Sequence, residues 1–216
     1  MDNRTKETIR YLGYGNHAVD STTIAMISDS FRNLESVANC KSIYRIFDLH
    51  ETDENYYKIG TVHLESRNLS KNLKGCHRVV LFGATLGAEV DRLLTRKALM
   101  SMAEVVVLQA AAAAMLEEYC DECQEEIRVS LEREGEYIRP RFSPGYGDFD
   151  IHYQRPLMQM LDCAKKIGLT MTDSFMMSPT KSVTALIGVS STQENCHKKG
   201  CEVCGKKDCI YRRDTV

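Results

Sequence analysis

The sequence has no apolar run long enough to span a membrane, and its first residues, Met1 to Arg4, lack the apolar core of an export signal. We therefore expect a soluble, cytoplasmic protein. Positive charge is not in excess either, because 28 basic residues are balanced by 30 acidic ones and the net charge is −2. This balance gives no electrostatic reason to expect a nucleic acid or a membrane surface as a partner.

Catalytic and nucleotide-binding signatures are also missing. No internal repeat is present, and no Ser/His/Asp or Cys/His arrangement follows from the spacing of these residues. An apolar strand at 78–82 precedes the glycine turn Gly83 to Gly87 and a helix, but the turn lacks the third glycine of a dinucleotide fingerprint and the lysine of a P-loop. We expect a tight strand-to-helix turn there, with Thr85 as its cap.

The cysteines divide into two groups. Nine cysteines without an export signal favour reduced thiols or metal ligands over a disulfide framework. Five are scattered and are interpreted as buried small residues. The other four form a C-x4-C-x2-C-x4-C pattern that fits neither a standard zinc finger nor a ferredoxin run: Cys196, Cys201, Cys204 and Cys209. They are either ligands of zinc or an iron–sulfur cluster, or part of a flexible, thiol-rich tail.

Helices and strands alternate irregularly along the chain. Apolar residues at three-to-four spacing predict a helix that begins at Asp20 or Ser21, and the longest helical pattern runs from Lys97 to Glu134 with a break near Ser101. A further helix is predicted from Pro156 to Gly168. The predicted strands are 42–49, its partner 56–64, the short strand 78–82, and a central strand at 182–189.

The most shaped stretch of the chain runs from Arg139 to Gly147. It holds two of the four prolines in the sequence, together with two glycines, two arginines and two aromatic residues. Proline fixes φ and glycine permits positive φ, so this backbone has a defined shape. The loop is either a rigid connector in which Arg141 pairs with a surface carboxylate, or a cradle for a planar or anionic ligand.

Several segments resemble one known family. Arg141-x-x-x-Gly145-Tyr146 resembles the R-x-x-x-G-Y signature of the activation domain of cobalamin-dependent methionine synthase. The helix into Gly168 and the stretch Thr172 to Pro179 resemble the segments that follow this signature in the family. Three more segments resemble its short, free-standing form: Tyr11–Tyr14, Ala84–Gly87 and Glu118–Asp121. The resemblance covers the chain up to about Ser190.

The resemblance implies an α+β fold with a bent, mainly antiparallel sheet flanked by helices, in a domain of residues 1–190 followed by a cysteine-rich tail, 191–216. The implied ligand is S-adenosylmethionine. Arg141 would hold its carboxylate, which suits a planar guanidinium. The backbone at Ser143 and Gly145 would bond the adenine or the amino-acid part, and Tyr146 would shape the pocket. This interpretation requires a hollow beside Arg141, and a guanidinium in bulk solvent, or locked in an ion pair with no hollow nearby, would overturn it.

The resemblance also implies a role and partners. Such a domain presents a methyl group for the reductive methylation of cob(II)alamin on a separate methionine synthase, with an electron from a flavodoxin- or ferredoxin-like donor. His152 matches a family histidine near the cobalamin; it is either a structural hydrogen-bonding residue or a candidate catalytic residue, and its role is open. An acidic ribose contact of the long form aligns with Ala114, and Glu118, one helical turn further on, is the nearest acidic candidate. The family's proline after Gly-Tyr is replaced by Gly147.

Two other functions remain open from the residues alone. The chain could be an interaction or adaptor protein stapled by zinc at the tail, with the shaped loop purely structural. It could also be an ordinary small-molecule methyltransferase, although that fold begins with a parallel strand and a glycine-rich turn. The first clear strand, 42–49, is not followed by such a turn.

Overall fold

The computed structural model describes residues 1–14 and 17–193. Its helices are α1 (Asn3–Tyr11), α2 (Ser21–Val37), α3 (Arg67–Leu73), α4 (Ala88–Ala98), α5 (Met102–Glu132), α6 (Gln154–Leu161) and α7 (Cys163–Ile167). Its strands are β1 (Lys41–Asp53), β2 (Tyr56–Ile59), β3 (Val62–Glu65), β4 (Arg78–Thr85), β5 (Tyr137–Ile138), β6 (Thr170–Met171), β7 (Met177–Ser178) and β8 (Ser182–Ser190). None of the helices within these ranges is long and apolar enough to cross a membrane.

The main sheet has six strands in the order β3-β2-β1-β4-β8-β5, and every neighbouring pair is antiparallel. The strands β6 and β7 form a separate small hairpin. The predicted α+β fold, with a mainly antiparallel sheet and flanking helices, is confirmed. The predicted partner strand 56–64 is two strands, because Gly60 takes a positive φ of 57° and turns the chain between them.

Each face of the sheet packs against its own set of helices, because side chains alternate between faces along a strand. On β4, Val80 and Phe82 face a core formed with α2, α4 and α5. Their neighbours Val79 and Leu81 face a second core formed with α3, α6 and α7. The central strand β8 is buried along nearly its whole length, as its apolar sequence predicts.

The ends of several helices follow from single residues. Asp20 caps α2, since its carboxylate accepts the N–H of Thr23 at 2.9 Å. The predicted break near Ser101 is also present, because α4 ends at Ala98 and Ser101 caps α5. The prediction of Thr85 as a helix cap is wrong. Thr85 is the last residue of β4, and Gly87 occupies the N-cap of α4 with a φ of 88°.

The predicted helix 156–168 is divided into two. It begins at Gln154, before Pro156, and Asp162 adopts a left-handed conformation with a φ of 54° that separates α6 from α7. Gly168, also left-handed, ends α7 as predicted. The two helices follow the shaped loop in the chain and pack into the second core, on the face of Val79 and Leu81.

Candidate functional site

The shaped loop is fixed along the edge of β8. After β5, the N–H of Arg139 donates to the carbonyl of Gly188 at 2.8 Å, and Phe142 and Leu186 exchange two backbone hydrogen bonds of 2.8 Å. Because β8 is a buried strand of the sheet, these bonds give the loop a rigid base. Arg141 lies between the two anchor points and opposite α5.

The glycines of the loop close a tight turn. The N–H of Gly145 donates to the carbonyl of Phe149 at 2.7 Å, and the N–H of Tyr146 donates to the carbonyl of Ser143 at 3.2 Å. Gly145 has a φ of 88° and Gly147 a φ of 61°, a region that glycine adopts at little cost. A proline at Gly147 could not take this conformation, since its φ is fixed near −65°. The turn therefore differs from that of a chain with Gly-Tyr-Pro.

Three predicted ligand contacts lie together in this turn. Ser143 is half-buried, Gly145 is exposed, and the Tyr146 side chain is 63% exposed. The ring of Tyr146 meets that of Phe142 edge-on, with 5.4 Å between centroids. The turn thus presents backbone groups and one phenol ring to solvent on a base of buried aromatic side chains.

Asp148, which the sequence reading did not single out, holds the turn from the other side. Its carboxylate accepts the N–H groups of Arg67 and Asn68 at 3.0 and 3.1 Å and the hydroxyl of Ser66, all at the start of α3. The hydrogen bond from the Ser66 hydroxyl makes the largest contribution to lowering the pKa of Asp148. A helix start favours a carboxylate. Two sequence features could have indicated this contact: the acid one residue after the glycine turn, and the Ser-x-x-Leu cap far upstream. No local spacing connects the two.

The guanidinium of Arg141 is held by three side chains of α5. Its nitrogens lie 2.9 Å from the amide oxygen of Gln124, 2.6 Å from a carboxylate oxygen of Asp121 and 3.1 Å from one of Glu117. The Arg141 side chain is 15% exposed. Burial acts to lower its pKa, but the charge and hydrogen bond of Asp121, together with smaller contributions that include the charge of Glu117, outweigh burial and the pKa is raised. Arg141 is therefore a permanent cation within a carboxylate pair.

Glu118, the acid selected from the sequence, points elsewhere. It forms an ion pair with Arg4 of α1, and Arg4 also bonds Glu35 of α2 at 2.7 Å. On the helix, adjacent residues lie about 100° apart, so Glu117 and Glu118 face different neighbours. Ala114 is buried in the core. Glu117 is thus the acid that the fold brings to Arg141. The sequence could not identify it, because the rotation of α5 about its axis relative to the loop is not known from the sequence.

His152 lies in the short turn that leads into α6. Its Nδ1 and its backbone N–H both form hydrogen bonds with the carboxylate of Asp150. Its ring contacts the ring of Phe175 edge-on, with 4.4 Å between the ring centroids. The backbone N–H of His152 is the largest cause that lowers the pKa of Asp150. The imidazole is held from two sides, and the side chain remains 69% exposed, which leaves Nε2 accessible to a partner.

Two surface cavities of the described residues lie away from this loop. One, of about 310 Å³, lies between α2 and α5 and is lined by Met26, Asp29 and Leu108, among others. The other, of about 290 Å³, lies where β1 meets β2. The hollow expected beside Arg141 is not one of them. The guanidinium instead carries two carboxylate partners.

The predicted metal ligands Cys196, Cys201, Cys204 and Cys209 lie outside the described residues, so their assignment stays a prediction. Within residues 1–14 and 17–193, no group of three or more histidine, cysteine or acidic side chains could hold a metal ion. Cys120, Cys123 and Cys163 are buried, and Cys40 and Cys76 are half-buried. Burial raises the pKa of Cys120 to about 12, which makes it an inert thiol.

A family model for the activation domain of vitamin B12-dependent methionine synthase matches residues 98–198. This range includes α5, Arg141, the glycine turn and His152. The chain is similar to the methionine synthase activation domain, as its sequence predicted.

One solved structure shares this fold over most of its length. The structure of the MetH reactivation domain bound to AdoHcy superposes on this chain with a TM-score of 0.59 and 16% sequence identity, and the match covers 90% of this chain and 77% of that chain. At this identity the likeness concerns the fold of the activation domain. No curated protein sequence matches the chain.

Proposed function

We propose that this chain binds S-adenosylmethionine at the Arg141 loop and presents its methyl group for the reductive methylation of cob(II)alamin on a cobalamin-dependent methionine synthase. The observation that carries the proposal is the position of Arg141. It is a shielded cation between the acids of α5 and a glycine turn that is open to solvent, and it lies inside the segment that matches the activation-domain family. The AdoHcy of the solved MetH reactivation domain supports a ligand of this class.

The amino-acid end of the ligand carries a carboxylate and an ammonium group, and the Arg141 cluster offers a partner for each. The guanidinium can bind both oxygens of a carboxylate. Glu117, which is 36% exposed beside it, can accept the ammonium. We assign this role to Glu117 in place of Glu118, because Glu118 is engaged by Arg4. The turn at Ser143, Gly145 and Tyr146 then contacts the rest of the ligand through its backbone and one ring.

Binding requires one existing contact to be released. The bond from Arg141 to Asp121 is the shorter of the two ion pairs, but Asp121 is 63% exposed and regains solvation when it leaves. The ligand carboxylate would take its place on the guanidinium. The hollow expected from the sequence is not one of the two cavities described above, so the proposal now depends on this exchange to open the guanidinium and on a partner protein to cover the remainder of the ligand.

For this reaction the chain needs only to position the ligand. The carbon–sulfur bond of the sulfonium breaks and a cobalt–carbon bond forms, with one electron supplied by a flavodoxin- or ferredoxin-like protein; S-adenosylhomocysteine and methylcobalamin result. No proton moves, so no general base is required. The residues of the loop hold the sulfonium at a fixed orientation. His152, oriented by Asp150, is the group we propose to contact the cobalamin side.

Calorimetry with S-adenosylmethionine tests the proposal. We expect the wild type to bind and Arg141→Ala to lose detectable binding, whereas Arg133→Ala, an exposed arginine at the end of α5, binds as the wild type does. Equal heats for the wild type and Arg141→Ala would remove Arg141 from the site. Stoichiometric zinc together with no binding of S-adenosylmethionine would favour the adaptor protein instead.

A further inference from the structure

One half of β1 has an open edge. β1 pairs with β4 over Lys41 to Asp48, but β2 pairs with β1 only from Leu49 to Asp53. On the side away from β4, the segment 41–48 therefore has no strand beside it in the described part of the chain. Unpaired edges of this length are templates for another strand.

The hydrogen-bonding groups of this edge are aligned for pairing. The N–H of Leu49 donates to the carbonyl of His77, its β4-side partner, at 2.9 Å. In an antiparallel ladder, the residues that exchange bonds with one neighbour alternate with residues whose N–H and C=O point the other way. The outward-pointing groups are therefore those of Ser42, Tyr44, Ile46 and Asp48. In the described part of the chain, the strand registers pair Ser42, Tyr44 and Ile46 with β4 alone.

The side chains along the edge offer apolar contacts on one face and positive charge on the other. Tyr44 and Ile46 are exposed on the face of α5. On the opposite face, Arg45 stacks on the ring of Phe47 at 5.1 Å and donates to the carbonyl of Met160 at 2.8 Å. Within the described ranges, Arg45 is not paired with a carboxylate, so its charge is available to a partner.

A cavity and a row of basic side chains lie where the open edge meets β2. The cavity of about 290 Å³ is lined by Phe47, Asp48, His50, Lys58 and Gly60. The strand register sets His50 opposite Lys58, and Lys58 opposite His63 on β3, so the three form one row across the sheet. Asp48 is the one acidic side chain that lines the cavity.

We propose that the edge of β1 from Ser42 to Asp48 binds an extended, acidic segment of a partner polypeptide as an added strand. Main-chain hydrogen bonds supply the binding, apolar side chains of the segment cover Tyr44 and Ile46, and its acids, on the opposite face, meet Lys41 and Arg45. A second copy of this chain fits less well. Two β1 edges in antiparallel register bring two copies of Lys41 and Arg45 into one short ribbon, where like charges repel.

A labelled peptide of alternating residues, Glu-Val-Glu-Val-Glu-Val-Glu, tests the proposal by fluorescence anisotropy at low salt. We expect it to bind, and its affinity to fall as salt rises. The same peptide with a central proline, which lacks one N–H donor, should bind at least about tenfold more weakly, as should a lysine-for-glutamate version.

Three protein variants complete the test. Ile46→Pro removes an outward N–H and leaves the ladder to β4 intact, so it should fold yet bind at least about tenfold more weakly. Ile46→Thr, which keeps the N–H and loses only apolar contact, should lose much less affinity than Ile46→Pro. Arg45→Glu should also weaken binding. No binding to the wild type, or binding of the proline or lysine peptide as tight as that of the parent peptide, overturns the proposal. Sedimentation that shows a dimer abolished by Ile46→Pro would assign the edge to a second copy and would also overturn it.

Discussion

Replacing Asp121 by asparagine should strengthen the binding of S-adenosylhomocysteine. Asp121 occupies the guanidinium of Arg141 at 2.6 Å, in the place where the ligand carboxylate is proposed to bind. Asparagine keeps the size of the side chain and removes the charge that competes with the ligand. S-adenosylhomocysteine is the better ligand for this measurement, because it has the same amino-acid end as S-adenosylmethionine but no sulfonium charge.

The magnitude follows from the exposure of the pair. A surface ion pair contributes about 0.2–1 kcal/mol, and Asp121 is mostly exposed although Arg141 is shielded. We therefore place the cost of its release near the upper end, at about 0.5–1 kcal/mol. This free energy corresponds to an affinity increase of about two- to fivefold. The increase should shrink at high salt, since exposed charges are screened.

Calorimetry at low and high salt measures the effect, with Glu126→Gln, another exposed acid of α5, as the matched control. Glu117→Gln should behave in the opposite way and weaken binding, because Glu117 is proposed to accept the ligand ammonium. Weaker binding by Asp121→Asn would refute the competition between Asp121 and the ligand. Tighter binding by Glu117→Gln would mean that both acids only neutralise Arg141.

Three further changes test the loop that supports the site. Gly147→Ala should cost about 1–2 kcal/mol of stability from its positive φ, plus a steric cost because the added Cβ would clash with the side chain of Asn68. Urea unfolding should show a larger loss than for Gly135→Ala, which has a similar φ and nothing within 4 Å of the added Cβ. Asp148→Asn should lower the melting temperature at pH 6. This difference should vanish as pH falls, because a carboxyl whose folded pKa is lowered stabilises above its unfolded pKa of about 3.9 and loses that contribution as pH falls through the folded value. A constant difference from pH 6 to pH 2.5 would contradict this role. Phe149→Ala, which empties a ring site that is 1% exposed, should cost about 3–5 kcal/mol in the same unfolding assay.

The sequence predicted most of the fold, because its elements have strong local signals. Asp20 precedes a regular apolar stripe, and Gly168 follows one, so both helix ends were predictable. The errors occurred where a local signal was ambiguous. Gly83 and Ala84 read as a turn but continue β4, since a neighbouring strand on each side holds them in the sheet. Asp162 is a left-handed residue inside an otherwise continuous helical pattern, which the spacing does not reveal.

The site was predicted at the level of the loop but not of its partners. Arg141 and the turn at Gly145 carry their own sequence signature. The acid that faces Arg141 depends on the rotation of α5 relative to that loop, and a helix rotates by about 100° per residue, so Glu118 and Glu117 could not be distinguished from spacing. Asp148 contacts a helix about eighty residues earlier in the chain, and only the tertiary fold shows that contact.

The charges of the Arg141 cluster also suit one of the two adenosyl ligands better than the other. Arg141 contributes one positive formal charge and Glu117 and Asp121 contribute two negative ones, so one negative charge is in excess. S-adenosylmethionine has a net charge of +1 because of its sulfonium, whereas S-adenosylhomocysteine is neutral overall. A site of this charge favours the methyl donor and releases the product after transfer. It follows that Asp121→Asn, although it tightens S-adenosylhomocysteine, should reduce the preference for S-adenosylmethionine over S-adenosylhomocysteine. An unchanged ratio of the two affinities would separate Asp121 from the selection of the donor.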